Sequence, residues 1–105
     1  MDLAALQHAL KHFTLERGWT PYNSPKNLVS ALVVEAGELL EHFVWLTPEE
    51  SYAVMRDAQK AQGVRDELAD VLNLLVQIAG ALEVDLEKAA WDKLEKNALK
   101  YPLEG

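Results

Sequence analysis

Apolar residues recur at three- and four-residue intervals along nearly the whole chain. In DLAALQHALKHFTLERG, Leu3, Leu6, Leu10 and Phe13 keep that spacing, which predicts a first helix capped by Asp2 and ended by Gly18. WTPYNSPKN then reads as a loop, and Ser24 followed by Pro25 reads as the N-cap and first turn of a second helix running to about Leu46. TPEE offers Thr47 as a cap, Pro48 at the first helical position and Glu50 to close a capping box, so a short helix is expected to about Met55. Gly63 is either a break or a tolerated glycine. A third long helix is predicted over 64–82, and a last one from the cap Asp85 to the stop at Pro102. No strand-like alternation, repeat or linker appears. The expected fold is all-α: four to five helices in a four-helix-bundle arrangement, one domain over 1–105, with short connections favouring antiparallel neighbours.

The second helix poses a problem for this apolar pattern, because it carries Glu35, Glu38 and Glu41. Each residue advances about 100° around a helix, so positions three apart lie about 60° apart. Glu35 and Glu38 share a strip with Ala31, His42 and Trp45, whereas Glu41 turns to the wet side near Ser30 and Gly37. The third helix repeats the arrangement. Glu67 and Asp70 share a strip near Gly63, Leu74 and Ala81, flanked by the polar Asp66, Asn73 and Gln77. A lone E-x-x-E or E-x-x-D is commonly a solvated surface pair. Two such pairs bordering apolar faces of two long helices bring four carboxylates together if the borders meet. Mutual repulsion and burial raise carboxylate pKa values, and a divalent cation relieves both. Hard carboxylate oxygens suit magnesium, manganese or calcium, and magnesium takes its remaining ligands from water and substrate phosphate.

A basic counterpart lies in the last helix. Lys93, Asn97 and Lys100 form one strip, with Lys96 beside it and Tyr101 at the same end. Lysines here also suit the negative end of the helix dipole, the simpler reading for Lys96. The other three are candidate phosphate contacts. Trp19 and Trp45 either stack on a base or fill core, and Trp91 reads as core. His8, His12 and His42 form no ligand cluster.

Composition narrows the choices. The 105 residues are 50% hydrophobic and 26% charged, which is globular rather than disordered, and a chain this short gains much from oligomerisation. A formal net charge of −7 argues against binding a nucleic-acid backbone. The absence of cysteine removes disulfides and thiolate metal sites. No segment reads as a signal peptide or a membrane span, so a cytoplasmic protein with no membrane partner is expected. A di-iron bundle would want Glu-x-x-His, and His42 has Leu39 three residues before it. A non-catalytic acidic module for oligomerisation or interaction is the alternative of a different class, but it leaves the doubled acid pairs without a purpose.

The pattern EAGE at Glu35–Glu38, a gap, then ELAD at Glu67–Asp70 resembles the signature of the MazG-like, all-α nucleoside triphosphate pyrophosphohydrolases, and within them the dCTP pyrophosphatase branch. ERGWTPYNSPKNL, HFVWL and KNALKYP are similar too, so the likeness runs from about Phe13 to Pro102. The resemblance implies a helical homodimer or homotetramer, a dimer of dimers. It implies hydrolysis of a nucleoside triphosphate, dCTP or a 5-modified dCTP, to monophosphate and pyrophosphate in nucleotide-pool sanitation. Glu35, Glu38, Glu67 and Asp70 would hold magnesium, or manganese in its place, with Glu38 or else Glu35 as the base. Trp19 and Trp45 would serve base and sugar, and Lys93, Asn97, Lys100 and Tyr101 the phosphates. Leu74 departs from a tyrosine of that branch, Leu10 from a histidine, and Asn23 from another; all three bear on base selectivity.

Overall fold

Each helix begins where an oxygen-bearing side chain satisfies the otherwise unpaired N–H groups of the first turn. The structure is a computed structural model describing residues 1–104, and five α-helices account for most of them, with no strand among the described residues. Helix α1 (Leu3–Glu16) starts on Asp2, whose Oδ1 accepts from Ala5 N at 2.9 Å. Helix α2 (Pro25–Glu41) starts on Ser24, with Oγ accepting from Asn27 N at 3.2 Å. Helix α3 (Pro48–Ser51) has the full capping box: Glu50 N donates to Thr47 Oγ1 at 3.1 Å, and Thr47 N donates to Glu50 Oε1 at 2.8 Å. Those bonds to the ionised form hold the Glu50 carboxyl below its usual pKa. Helices α4 (Ala58–Ala81) and α5 (Leu86–Lys100) start on Asp57 and Asp85. Short 3-10 turns occupy Thr20–Tyr22 and Val54–Arg56.

Two helices end on residues with left-handed backbone. After α1, Gly18 takes φ 68°, Trp19 N reaches back to Thr14 O at 3.0 Å, and Gly18 N reaches Leu15 O. After α4 the same pair of closing bonds forms around Glu83 at φ 56°. Glycine occupies that conformation without steric cost, and glutamate does not.

Several boundaries differ from expectation. Helix α2 stops at Glu41 rather than Leu46. The chain keeps winding in tight turns, with Val44 N on Leu40 O and Leu46 N on Phe43 O, both at 2.9 Å. Aromatic and β-branched residues in HFVW lose side-chain freedom in a helix, which favours that loosening. Trp45 therefore leaves the helical strip that carries the acids. The short helix ends at Ser51, with the Val54–Arg56 turn following it. Helix α4 begins at Ala58 instead of Val64, because Asp57 caps it through Gln59 N and Lys60 N. Gly63 is thus an interior residue of α4.

The core lies where α4 packs against α2 on one side and α1 on the other, with the Val54–Arg56 turn against α4 as well. Leu28, Val54, Ala61, Val64, Val76 and Ala79 are buried there. Gly63 lets α2 and α4 approach: a β-carbon on it would sit 2.6 Å from His42 Cε1. Helix α5 has only isolated contacts with the other elements, and Trp91 on it is 64% exposed, not core. Helices α1, α2 and α4 thus form the packed part of the all-α fold, while α5 stands apart from it within one chain.

Candidate metal centre and adjoining cavity

The α2–α4 contact decides where the acids go. Glu35 and Glu38 lie one turn apart on α2, and Glu67 lies on the facing stretch of α4. Carboxylate oxygens of these three fall within 4.8 Å of one another. Oε2 of Glu35 and Oε2 of Glu67 are buried with no hydrogen-bond partner. Asp70, one turn beyond Glu67, is exposed and lies outside this group of three, but its charge still acts on Glu35.

A protonated Glu35 can donate a hydrogen bond to the facing Glu67 carboxylate, and its anion cannot; this is the main cause that pushes the Glu35 pKa up to about 7. Burial adds to it, then the hydrogen bond and charge of Glu38, then the charge of Asp70. Two unpartnered buried oxygens and a carboxylate that resists ionisation are groups that a divalent cation would satisfy. The donor set is all hard oxygen, which fits magnesium or manganese and not a soft metal.

Glu35 and Asp70 also form part of the wall of a cavity of about 550 Å³ between α1, α2 and α4. Leu10, Phe13, Trp19 and Leu74 give it apolar sides, and Asn23, Asn27, Asn73 and Gln77 give it amides. Trp19 is held edge-on to Phe13, with ring centroids 5.7 Å apart, and Arg17 stacks on the other ring at 3.5 Å from the Phe13 centroid. Stacking surface and hydrogen-bonding groups next to an acidic cluster are what a nucleoside with a polyphosphate tail requires.

The expected site residues divide into two groups. Glu35, Glu38, Glu67, Asp70 and Trp19 are gathered around the cluster and cavity. Trp45 is 91% exposed in the turn after α2 and does not line the cavity. Lys93, Asn97 and Lys100 lie on α5 and Tyr101 caps it, away from the cavity wall; Lys100 Nζ rests 5.3 Å from the Tyr101 ring centroid. Sequence reasoning passed over Phe13, Asn27 and the roles of Asn73 and Gln77. The last two were visible as a polar pair four residues apart, in step with Asp70.

With this geometry established, the relatives can be placed. The chain matches the MazG-like family over residues 31–105. It belongs to that family. It is similar to the dCTP pyrophosphatase 1 of Bos taurus, 37% identical over 91 residues, covering 87% of this chain and 54% of that protein. The Homo sapiens dCTP pyrophosphatase 1 is 39% identical over 90 residues, covering 86% and 53%. The chain therefore spans about half the length of the curated relatives it matches. A crystal structure of a pyrophosphatase from Archaeoglobus fulgidus superimposes with a TM-score of 0.89 at 35% identity, covering 98% of this chain and 94% of the other. The shared fold is the all-α MazG arrangement. No helix among the described residues is long and apolar enough to cross a membrane.

Proposed function

We propose that this chain is a nucleoside triphosphate pyrophosphohydrolase of one domain, cleaving dCTP or a 5-modified dCTP to the monophosphate and pyrophosphate. The observation that carries this reading is the trio Glu35, Glu38 and Glu67, with two unpartnered buried oxygens, beside a cavity with stacking and amide groups. Family membership and the names of the relatives support it.

Glu35, Glu38, Glu67 and Asp70 would hold magnesium, which when bound neutralises triphosphate charge and lowers the pKa of a coordinated water. Glu38 takes the proton from the attacking water, with Glu35 as the second choice for that role. Trp19 stacks on the base; Trp45 reaches base or sugar only from a neighbouring chain or after the loop moves. Lys93, Asn97, Lys100 and Tyr101 meet phosphate by the same route, since α5 lies off its own chain's cavity. The active form is accordingly a homodimer or a dimer of dimers, acting on the cytoplasmic nucleotide pool. Glu38→Gln tests the assignment: turnover falls by about 100-fold or more, the scale of a lost general base, while the helical circular dichroism is kept. Full turnover in that variant contradicts the role given to Glu38.

A further inference from the structure

Two amides in the cavity wall have fixed orientations. Asn27 Nδ2 donates to the carbonyl of Tyr22 at 2.8 Å, and Gln77 Nε2 donates to the carbonyl of Asn73 at 3.2 Å. A backbone carbonyl only accepts, so each amide must turn its nitrogen toward it and present its oxygen elsewhere. No protein donor among the described residues occupies either oxygen, and Gln77 Oε1 is not buried. Both residues line the cavity that Glu35 and Asp70 border.

Resting on the proposed function, we infer that Asn27 and Gln77 are specificity determinants that select an aminated base over its keto counterpart. Two anchored acceptors match the exocyclic amine of cytosine, which donates. The O4 atom of uracil or thymine would set lone pairs against lone pairs, and neither amide can flip without abandoning its carbonyl. Asn23 and Asn73, also in the wall, have no side-chain hydrogen bond among the described residues, so their amides can turn to donate to cytosine N3 and O2. Leu10 and Leu74 offer only apolar contact, which leaves polar discrimination to the amides. An amide oxygen covered by a bound base loses its water, so a base that cannot donate to it leaves it unpaired and is disfavoured more than by apolar contact alone.

Calorimetric titration of the full chain with dCMP, dUMP, dTMP and N4,N4-dimethyl-dCMP, without metal, tests this apart from catalysis. The expected result is dCMP binding about 10-fold or more tighter than dUMP and dTMP, as for one to two hydrogen bonds. The dimethylated analogue, which keeps the ring but has no amine hydrogen, loses that advantage. Gln77→Met, which removes the acceptor at similar size, brings the dCMP to dUMP ratio toward unity. Equal binding of dCMP and dUMP to the unaltered protein overturns the inference, as does an undiminished preference for the dimethylated analogue or for dCMP in a folded Gln77→Met. A triphosphate panel separates the two levels: hydrolysis without base preference leaves the proposed function standing and removes only the base reading, whereas no nucleotide binding or hydrolysis removes both.

Discussion

Helices α4 and α5 are consecutive, both start on an aspartate cap, and both have an amphipathic pattern, yet their surroundings differ. Helix α4 buries Ala61, Val64, Val76 and Ala79 between its neighbours. Helix α5 buries nothing: Trp91 is 64% exposed and Leu94 58%. Caps and periodicity are local properties and form a helix in either place, but burial needs a facing surface, and the single chain supplies one only to α4. The consequence appears in the whole molecule. Its radius of gyration is 16.8 Å, against about 13 Å for a compact chain of this length. Its accessible surface is 8398 Å² at 11.8 kDa, against roughly 5,900 Å² for a compact monomer of that mass. An excess near 2,500 Å² is on the scale of an obligate interface.

The largest effect is expected from denying α5 its facing surface. Trp91→Glu combined with Leu94→Glu should lower the melting temperature sharply and turn the oligomer proposed above into a monomer in sedimentation velocity. A stable monomer in the unaltered protein would remove the contrast between the two helices. The next effect concerns the better-packed side. Glu35 has a pKa of about 7 when folded without metal and 4.5 as the ordinary value. The folded chain thus keeps a proton that the unfolded chain gives up, so stability in chelator falls as pH rises from 4.5 to 7 and levels off above. Metal binding expels that proton, so magnesium affinity rises over the same window. Melting curves with chelator and with magnesium should diverge as pH rises; parallel curves would contradict the coupling.

A smaller effect sharpens how α4 obtains its close neighbour. Gly63→Ala places a methyl 2.6 Å from His42 Cε1 and should cost about 1–3 kcal/mol by overpacking. His42→Ala in that background should recover most of it. Gly80→Ala meets the exposed, flexible Gln7 side chain, at 2.8 Å from Nε2 and 3.2 Å from Cγ, and should be tolerated because that chain can swing away and helical alanine is intrinsically favoured. Chemical denaturation compares the three, and equal losses at Gly63 and Gly80 would show that His42 does not set the approach. The smallest effect lies at the junction of α4 and α5. Glu83→Gly removes the left-handed strain at φ 56° and should stabilise by about 1 kcal/mol, visible as a shifted denaturation midpoint.

What the sequence discloses follows the same division. Asp2, Gly18, Ser24, Asp85 and Pro102 act on their immediate neighbours, so the bounds of α1 and α5 and the start of α2 were legible. The end of α2 was overrun because 42–46 continues to wind and stays apolar after the helical bonds stop. The start of α4 was missed because Gly63 looked like a break, when its lack of a side chain serves the contact with His42. The strips holding Glu35 with Glu38 and Glu67 with Asp70 follow from helical periodicity. Their convergence depends on which helices pack and in what register, and no local pattern encodes that. Asn27 was hidden for another reason: in the first turn of α2 it reads as a neighbour of the cap, and only the fold shows its amide pinned to Tyr22.

In the proposed function, carboxylates from α2 and α4 together gather a divalent cation that grips a triphosphate. Phosphorus NMR of dCTP incubated with the protein tests it most directly, with magnesium and then with chelator. Nucleoside monophosphate and pyrophosphate are expected with magnesium and no turnover with chelator; orthophosphate and dCDP as products, or unchanged turnover in chelator, would contradict that cation's role.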